Sequence, residues 1–445
     1  MPLAIAEFIA DHFTMNDADS PRPRSPYPRP GPRTRPPAAE RKGPPPGAVS
    51  PWVSLRSATQ HPFIYKRMIA MADNRAHPGD VVNVYDKNGY LFGRGLYNPR
   101  SQIVLRMLSH GPAPIDDAFW QTSIAGAVDL RRMLNLDEAT DAYRLVHAEG
   151  DGLSGLIVER YADCLVFEMF SLGMFQRVPM LRDALAAALG VPTSLDRPGR
   201  ASPTWRVVVR ADEHVERLEG FRVPPPGDDA PKTVTIREHG IRYRVDLESG
   251  HKTGFFCDQR DNRRAFAGFC RDADVLDVCS YTGGFGLCAK ILGKAKSVTS
   301  VDLDEAALAV AKENANLNNT RIDHVHSDAF VYLRQMLANK RTFDAVVLDP
   351  PKLAPNRESV EDAVRKYYDL NAVGAQVVRS GGLLLTCSCS GLVSPQMFED
   401  IVLRAVRRPG KTVQILNQTG AGPDHPVSPA CPESSYLKAL WLRIV

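Results

Sequence analysis

The stretch TFDAVVLDPPK, from Thr342 to Lys352, decides how the chain is read. Its apolar residues from Ala345 to Leu348 are continuous rather than alternating, which is the pattern of a strand buried on both faces of a parallel sheet. Pro350 and Pro351 must end that strand, because a proline has no N–H to give to a sheet ladder. The stretch therefore predicts a strand that leaves its sheet abruptly, with Asp349 and Lys352 at the carboxyl edge. Open α/β sheets bind their ligands at that edge.

The flanking sequence repeats the pattern. Strands are expected from Val275 to Val278, Ser297 to Asp302, His324 to Ser327, Ala345 to Asp349 and Gly382 to Cys387. Helical periodicity lies between them, from Glu305 to Leu317, Tyr332 to Ala338 and Glu361 to Val378. Such alternation means right-handed crossovers and a doubly wound sheet. Val413 to Leu416 and Tyr436 to Ile444 read as two last strands, suited to an antiparallel pair closing one edge.

The first of these strands runs into DVCSYTGGFG, from Asp277 to Gly286, where glycines let the backbone approach a ligand as a helix starts. The rhythm of Gly283, Gly284 and Gly286 is not G-x-G-x-x-G, which argues against a dinucleotide. Asp302 ends the second strand nineteen positions after Gly283, where a carboxylate can accept two ribose hydroxyls. Asp328 ends the third, with Ala329 and Phe330 beside it to line an adenine pocket. Any one of these aspartates also suits a helix cap. Together, at successive strand ends, they converge on one crevice.

With 445 residues, 44% of them hydrophobic, the chain is long enough for two or three cores. A net charge of +4 permits a polyanionic partner without requiring one. The eight cysteines form no CxxC pair, so neither a disulfide framework nor a metal site is expected. The start, MPLAIAEFIADHF, lacks a basic leader region, and no run reaches the roughly 18 apolar residues that span a bilayer. A cytoplasmic protein with no membrane contact is expected.

Residues 1–50 are rich in proline and arginine and read as a disordered tail. Residues 51–112 read as a small β-barrel, with Val81 to Asp86 and Tyr90 to Tyr97 joined through Lys87, Asn88 and Gly89. There Arg94, Asn98, Arg100 and Arg106, interleaved with Phe92 and Tyr97, suit an RNA backbone and stacked bases, or an ordinary β surface. Residues 113–230 read as a small α+β unit: a helix from Asp116 to Asn135, strands from Tyr143, Leu156 and Cys164, and a helix from Met174 to Leu189. No polar cluster stands out in it, so it reads as scaffold or substrate platform. Residues 231–445 hold the α/β alternation.

Six motifs together resemble the RlmI-type 23S ribosomal RNA cytosine-5 methyltransferases: HKTGFFCDQRDNR (His251 to Arg263), DVCSYTGGFG, LDPPK, LLLTCSCSG (Leu383 to Gly391), DHPV (Asp424 to Val427) and YLK (Tyr436 to Lys438). The likeness covers essentially everything after residue 50. It implies a PUA RNA-binding domain, a linking domain and a Rossmann-like class I methyltransferase domain that uses S-adenosyl-L-methionine. The implied partner is 23S ribosomal RNA or a large-subunit precursor. The oligomeric state is left open, a homodimer included.

Carbon 5 of cytosine is a poor nucleophile, so its methylation requires a thiolate to add at carbon 6 and turn the ring into an enamine. Cys387 and Cys389 end the fifth strand two positions apart. The resemblance to an SCSG turn selects Cys389 as the nucleophile, leaving Cys387 as a strand residue. It also implies that Asp349 sits against ring nitrogen 3 and the exocyclic amine, with Pro350, Pro351 and Lys352 at the base. Lys352 is the neighbouring cation expected to favour the thiolate. The implied cofactor set is Asp277, Tyr281, Thr282, Gly283, Gly284, Asp302, Leu303, Asp328 and Ala329, with Lys252, Thr253, Gln259 and Arg260 from the HKTGFFCDQR segment. DPPK lacks the second cysteine of many RNA cytosine methyltransferases, and the base that removes the carbon 5 proton is unassigned. Two other readings stand: a methyltransferase for exocyclic amines or another ribosomal RNA position, and a non-catalytic RNA-binding ribosome-assembly factor.

Overall fold

The computed structural model describes residues 43–190, 193–194, 205–227, 230–248 and 254–445. The tail expected up to residue 50 falls mostly outside them. The first sheet has six strands: β1 (Trp52–Leu55), β2 (Phe63–Ile64), β3 (Ile69–Ala72), β4 (Val81–Tyr85), β5 (Leu91–Tyr97) and β6 (Leu105–His110), in the order β2-β6-β5-β4-β1-β3. Val53, Ile64, Val82, Val84, Tyr97 and Leu105 form one buried cluster with Ile69 and Ala72 packed on it, so all six strands enclose a shared core. The β4–β5 turn closes on Asp86, whose Oδ1 accepts the N–H groups of Asn88 and Tyr90, each at 2.9 Å. Gly89 takes the left-handed conformation, with φ of 87°, that completes the turn.

The middle unit is a five-stranded sheet of β7 (Ala142–His147), β8 (Leu156–Tyr161), β9 (Cys164–Met169), β10 (Thr193–Ser194) and β11 (Trp205–Arg210), in the order β10-β11-β9-β8-β7. Helix α1 (Asp117–Met133) starts at Asp116, whose carboxylate accepts the Phe119 N–H at 3.0 Å, and buries Trp120, Ile124 and Val128. The helix expected from Met174 to Leu189 is two helices, Leu172–Phe175 and α2 (Val178–Leu189). Pro179 is the reason: it has no N–H for the preceding turn and fits only the first turn of a new helix.

A hairpin, β12 (Thr233–Glu238) and β13 (Ile241–Asp246), precedes the last sheet. That sheet comprises β14 (Asp274–Val278), β15 (Ser297–Asp302), β16 (Asp323–His326), β17 (Phe343–Leu348), β18 (Val378–Ser388), β19 (Val413–Thr419) and β20 (Lys438–Ile444), in the order β16-β15-β14-β17-β18-β20-β19. Its helices are α3 (Arg260–Ala267), α4 (Gly284–Ile291), α5 (Glu305–Leu317), α6 (Ala329–Ala338), α7 (Val360–Val377) and α8 (Pro395–Arg407). β14 to β18 are parallel, and β20 pairs antiparallel with both β18 and β19, as the sequence pattern indicates. The chain moves outward from β14 to β16, then returns to β17 on the other side of β14. At such a reversal the loops after the two central strands part, and a crevice opens between them. Among the described residues no helix is long and apolar enough to cross a membrane.

Candidate active site

A cavity of about 1000 Å³ lies over the carboxyl ends of β14, β15, β17 and β18, lined among others by Tyr281, Asp302, Asp328, Phe330, Asp349 and Cys389. This is the top of the usual range for ligand sites, about 300–1,000 Å³, and leaves room for a nucleoside-sized group and a base together.

One end is built from strand-end carboxylates. Asp302 accepts the Tyr281 N–H on Oδ2 at 2.7 Å and the Asp304 N–H on Oδ1 at 2.9 Å. Asp328 caps α6, accepting from Phe330 and Val331 at 2.9 and 3.1 Å, while it also lines the cavity. Capping and ligand binding are thus compatible in one carboxylate. Thr282, Gly284, Leu303 and Ala329 line the same end. Asp277 and Gly283 do not line it; they hold the loop from behind. Asp277 is fully buried and accepts the Gly286 N–H at 2.8 Å, and burial pushes its carboxyl up to about 7. The glycines answer packing more than ligand approach. A Cβ on Gly284 would meet Arg263 Cδ at 2.9 Å, and one on Gly286 would meet Ser300 Oγ at 2.7 Å.

The other end is the DPPK corner. Gln259, expected at the cofactor, lines the cavity and donates from Nε2 to Asp349 Oδ2 at 3.0 Å. Its Oε1 accepts from Asn262 at 2.6 Å, which fixes the amide orientation. Cys389 sits just past β18, half-buried, with Sγ 4.0 Å from the Pro350 carbonyl oxygen. Cys387 is fully buried, and burial pushes its thiol well up. The serine flanks fasten the turn to the corner. Ser390 Oγ accepts the N–H groups of Leu353 and Ala354, each at 3.1 Å, and the Tyr367 hydroxyl lies 2.9 Å from both Ser388 Oγ and Ser390 Oγ. Pro350, Pro351 and Lys352 line the cavity, and Lys352 Nζ donates to the Pro355 carbonyl at 3.3 Å. The buried Lys438 donates to the carbonyls of Ser390 and Tyr436, at 2.6 and 2.9 Å.

Arg260 is placed differently from its expected role. Only 1% exposed and absent from the cavity lining, it pairs with the buried Asp424 at 2.7 Å. Asp424 Oδ2 also accepts the Arg144 N–H at 3.0 Å, and its carbonyl accepts from Arg131 at 2.7 Å. Arg260 therefore anchors Asp424, which joins the last sheet to the middle unit. Lys252 and Thr253 lie outside the described residues. The polar cluster of the first sheet is divided, with Arg106 and Asn98 buried, Arg94 half-buried and Arg100 at the surface. Arg106 is buried and donates to the Phe170 carbonyl at 3.0 Å, Asn98 donates to Glu219, and Arg94 donates to the carbonyls of Pro112 and Ala113. Arg100 stays exposed.

Sequence reasoning missed the contribution of the middle unit. Glu168 at the end of β9 and Arg210 and Asp212 at the end of β11 line the cavity wall, a consequence of sheet packing that no local motif announces. His61, Cys431 and Glu433 form a bridge from the first sheet to the carboxyl-terminal segment. His61 Nε2 lies 3.2 Å from Glu433 Oε2, and Cys431 Sγ lies 3.5 Å from the same oxygen. His61 Nδ1 accepts the Phe63 N–H at 3.0 Å, so Nε2 carries the proton toward Glu433, an arrangement for hydrogen bonding and not for holding a cation.

Residues 55–110 match the PUA-like domain family, and residues 208–443 match the S-adenosylmethionine-dependent methyltransferase family. The ribosomal RNA large subunit methyltransferase I of Alteromonas mediterranea is 38% identical over 392 residues, 86% of this chain and 95% of that protein. The protein of the same name from Escherichia coli is 34% identical over 390 residues, 87% of this chain and 96% of its own length. Among solved structures, a chain from Streptococcus mutans described as an S-adenosylmethionine-dependent methyltransferase superposes with a TM-score of 0.71 at 20% identity, over 88% of this chain and 99% of its own. A methyltransferase fold solved in complex with SAH matches with the same TM-score at 21% identity, over the same shares of the two chains. These two share the fold. With S-adenosylmethionine as its methyl donor, the chain belongs to the family of ribosomal RNA large subunit methyltransferase I.

Proposed function

We propose that the chain methylates carbon 5 of a cytidine in large-subunit (23S) ribosomal RNA, in the cytoplasm, through a covalent adduct on Cys389. The observation that carries this reading is the half-buried Cys389 facing the same cavity as Asp349, on a turn that Ser390 fastens to the DPPK corner. S-adenosylmethionine, when bound, supplies an electrophilic methyl group. The residues at the β15 and β16 ends suit it: Asp302 offers acceptors for ribose hydroxyls, and Asp328, Ala329 and Phe330 offer a polar atom and an apolar wall for adenine.

In this reading a flipped cytosine enters between the two ends. The Cys389 thiolate adds to carbon 6, which pushes electron density toward carbon 5 and ring nitrogen 3. Asp349, which accepts from Gln259, is the group to donate a hydrogen bond or proton to nitrogen 3 as charge develops there and to accept from the exocyclic amine. Once carbon 5 carries the methyl group, its proton passes to solvent water, the carbon 5–carbon 6 double bond re-forms and the sulfur–carbon 6 bond breaks, which returns the Cys389 thiolate. Pro350 and Pro351 give the base a rigid wall, and Tyr281, Thr282, Gly284 and Leu303 bound the donor end.

The reading is tested by mapping methylated cytidines at nucleotide resolution in large-subunit RNA from cells with the wild-type protein, without it, and with Cys389→Ala. One cytidine should lose its methyl group in both of the latter, a drop of at least about a thousandfold in rate. An unchanged map would remove the substrate. Full activity in Cys389→Ala would move the reading to an exocyclic amine, which needs no thiolate.

A further inference from the structure

Adduct formation needs a thiolate, yet a free thiol with a pKa near 8.5 is mostly protonated at neutral pH. Lys352 is one cation at the corner, lining the same cavity as Cys389, with Nζ also donating to the Pro355 carbonyl. A second lysine is built into the turn itself. Lys438 opens β20, is the antiparallel partner of Ser388, and is 7% exposed. Its Nζ donates at 2.6 Å to the carbonyl of Ser390, the residue next to Cys389, and at 2.9 Å to that of Tyr436. Both contacts are neutral carbonyls, and among the described residues no carboxylate pairs with it. A buried ammonium held by dipoles alone lacks a counter-charge.

The titratable groups around this ammonium narrow the source of that charge. Tyr436 lies two residues before it, Cys387 beside it on β18, and Tyr367 reaches Ser388 and Ser390 from α7. Burial pushes all three up, which keeps them neutral. Burial also pulls Lys438 down to about 8, and a negative charge on Cys389 opposes that pull. The carboxylates nearest the turn, Asp258 and Asp349, accept from Tyr436 and Gln259, and Cys389, next to the Ser390 carbonyl that Lys438 holds, is the group on the turn itself that faces it.

Building on the reading of Cys389 as nucleophile, we infer that Lys438 is a positioning residue that stabilises the Cys389 thiolate from behind the turn, through the Ser390 carbonyl clamp. The thiol S–H bond breaks, its proton passes to solvent water, and the ammonium of Lys438 stays protonated opposite the sulfur. Lys438 does not line the cavity, so it touches neither RNA nor methyl donor.

The test is the pH dependence of Cys389 alkylation by iodoacetamide, followed by peptide mass spectrometry in the full chain. In the wild type the midpoint should lie below the free-thiol value, about 8.5. Lys438→Met should raise it by about one unit and slow alkylation at pH 7 about tenfold, whereas Lys438→Arg, which keeps the charge, should restore it. Methylation by Lys438→Met should approach the wild-type rate above pH 9, which a merely structural defect would not do. A wild-type midpoint above about 9 overturns the inference without any variant. So does an unshifted midpoint in a Lys438→Met protein that still binds S-adenosylmethionine. If the shift is found but Cys389→Ala still methylates RNA, the nucleophile reading fails and the Lys438 effect stands. If Cys389→Ala is inactive but the shift is missing, the reverse holds.

Discussion

At the open edge of the last sheet, Asp302, Asp328 and Asp349 are each held by N–H donors and face a cavity. Behind that edge, Arg260 with Asp424 and Arg263 with Glu238 are closed into buried ion pairs, each at 2.7 Å, although Arg263 also touches the cavity. Arg144 with Glu159 extends this buried layer into the middle unit. The residue types are the same and their uses differ. A carboxylate oriented by amides and open on one side is preorganised to accept hydrogen bonds from a ligand. A buried charge must be matched by an opposite one, because removing either leaves an uncompensated ion. The first arrangement suits binding, and the second fixes the position of the cavity walls, including Arg210 of the middle unit.

The sharpest way to break this comparison is Arg260→Met. If Arg260 serves the buried layer, the variant strands Asp424 and destabilises the fold by about 3–5 kcal/mol in denaturant titration. The molecules that remain folded should bind S-adenosylmethionine with near-normal affinity. A stable variant with lost cofactor binding would restore Arg260 to the cofactor and erase the contrast. Replacing Asp302 with Asn should do the opposite. Calorimetry should show S-adenosylmethionine affinity falling by about tenfold, because a charged acceptor is lost, with a stability change within about 1 kcal/mol. A large loss of stability with intact affinity would make Asp302 a member of the buried layer instead.

Local pattern carried the sequence reading far where the cause was local. Ser297–Asp302 and Glu305–Leu317 fall where periodicity put them, because Asp304 caps α5 by accepting the Ala307 N–H at 3.1 Å. The apolar run before Asp349 was legible for the same reason, although β17 ends one residue earlier, at Leu348. Arg260 was not legible. Its partner Asp424 lies 164 positions away, and nothing near Arg260 in the sequence distinguishes a guanidinium that meets a ligand from one that meets a buried carboxylate. Arg106 was left between an RNA-facing and an ordinary β surface, and its burial against Phe170 belongs to the docking of two sheets that neither reading contained. The motif containing Lys438 was visible, but the role proposed for that lysine depends on its contact with Ser390, 48 positions away. Cys389 could be preferred to Cys387 only through a family likeness; the structure supplies the physical difference, since β18 ends between them and only Cys389 reaches the cavity.

The central claim is the covalent bond between Cys389 and the target base. Large-subunit RNA transcribed with 5-fluorocytidine tests it directly, because fluorine on carbon 5 cannot leave as a proton does, and the adduct cannot be resolved. Incubated with the full chain and S-adenosylmethionine, digested and analysed by mass spectrometry, it should yield one RNA-linked peptide, with the nucleotide on Cys389. No adduct under conditions where the unmodified RNA is methylated, or an adduct on another residue, would contradict the account.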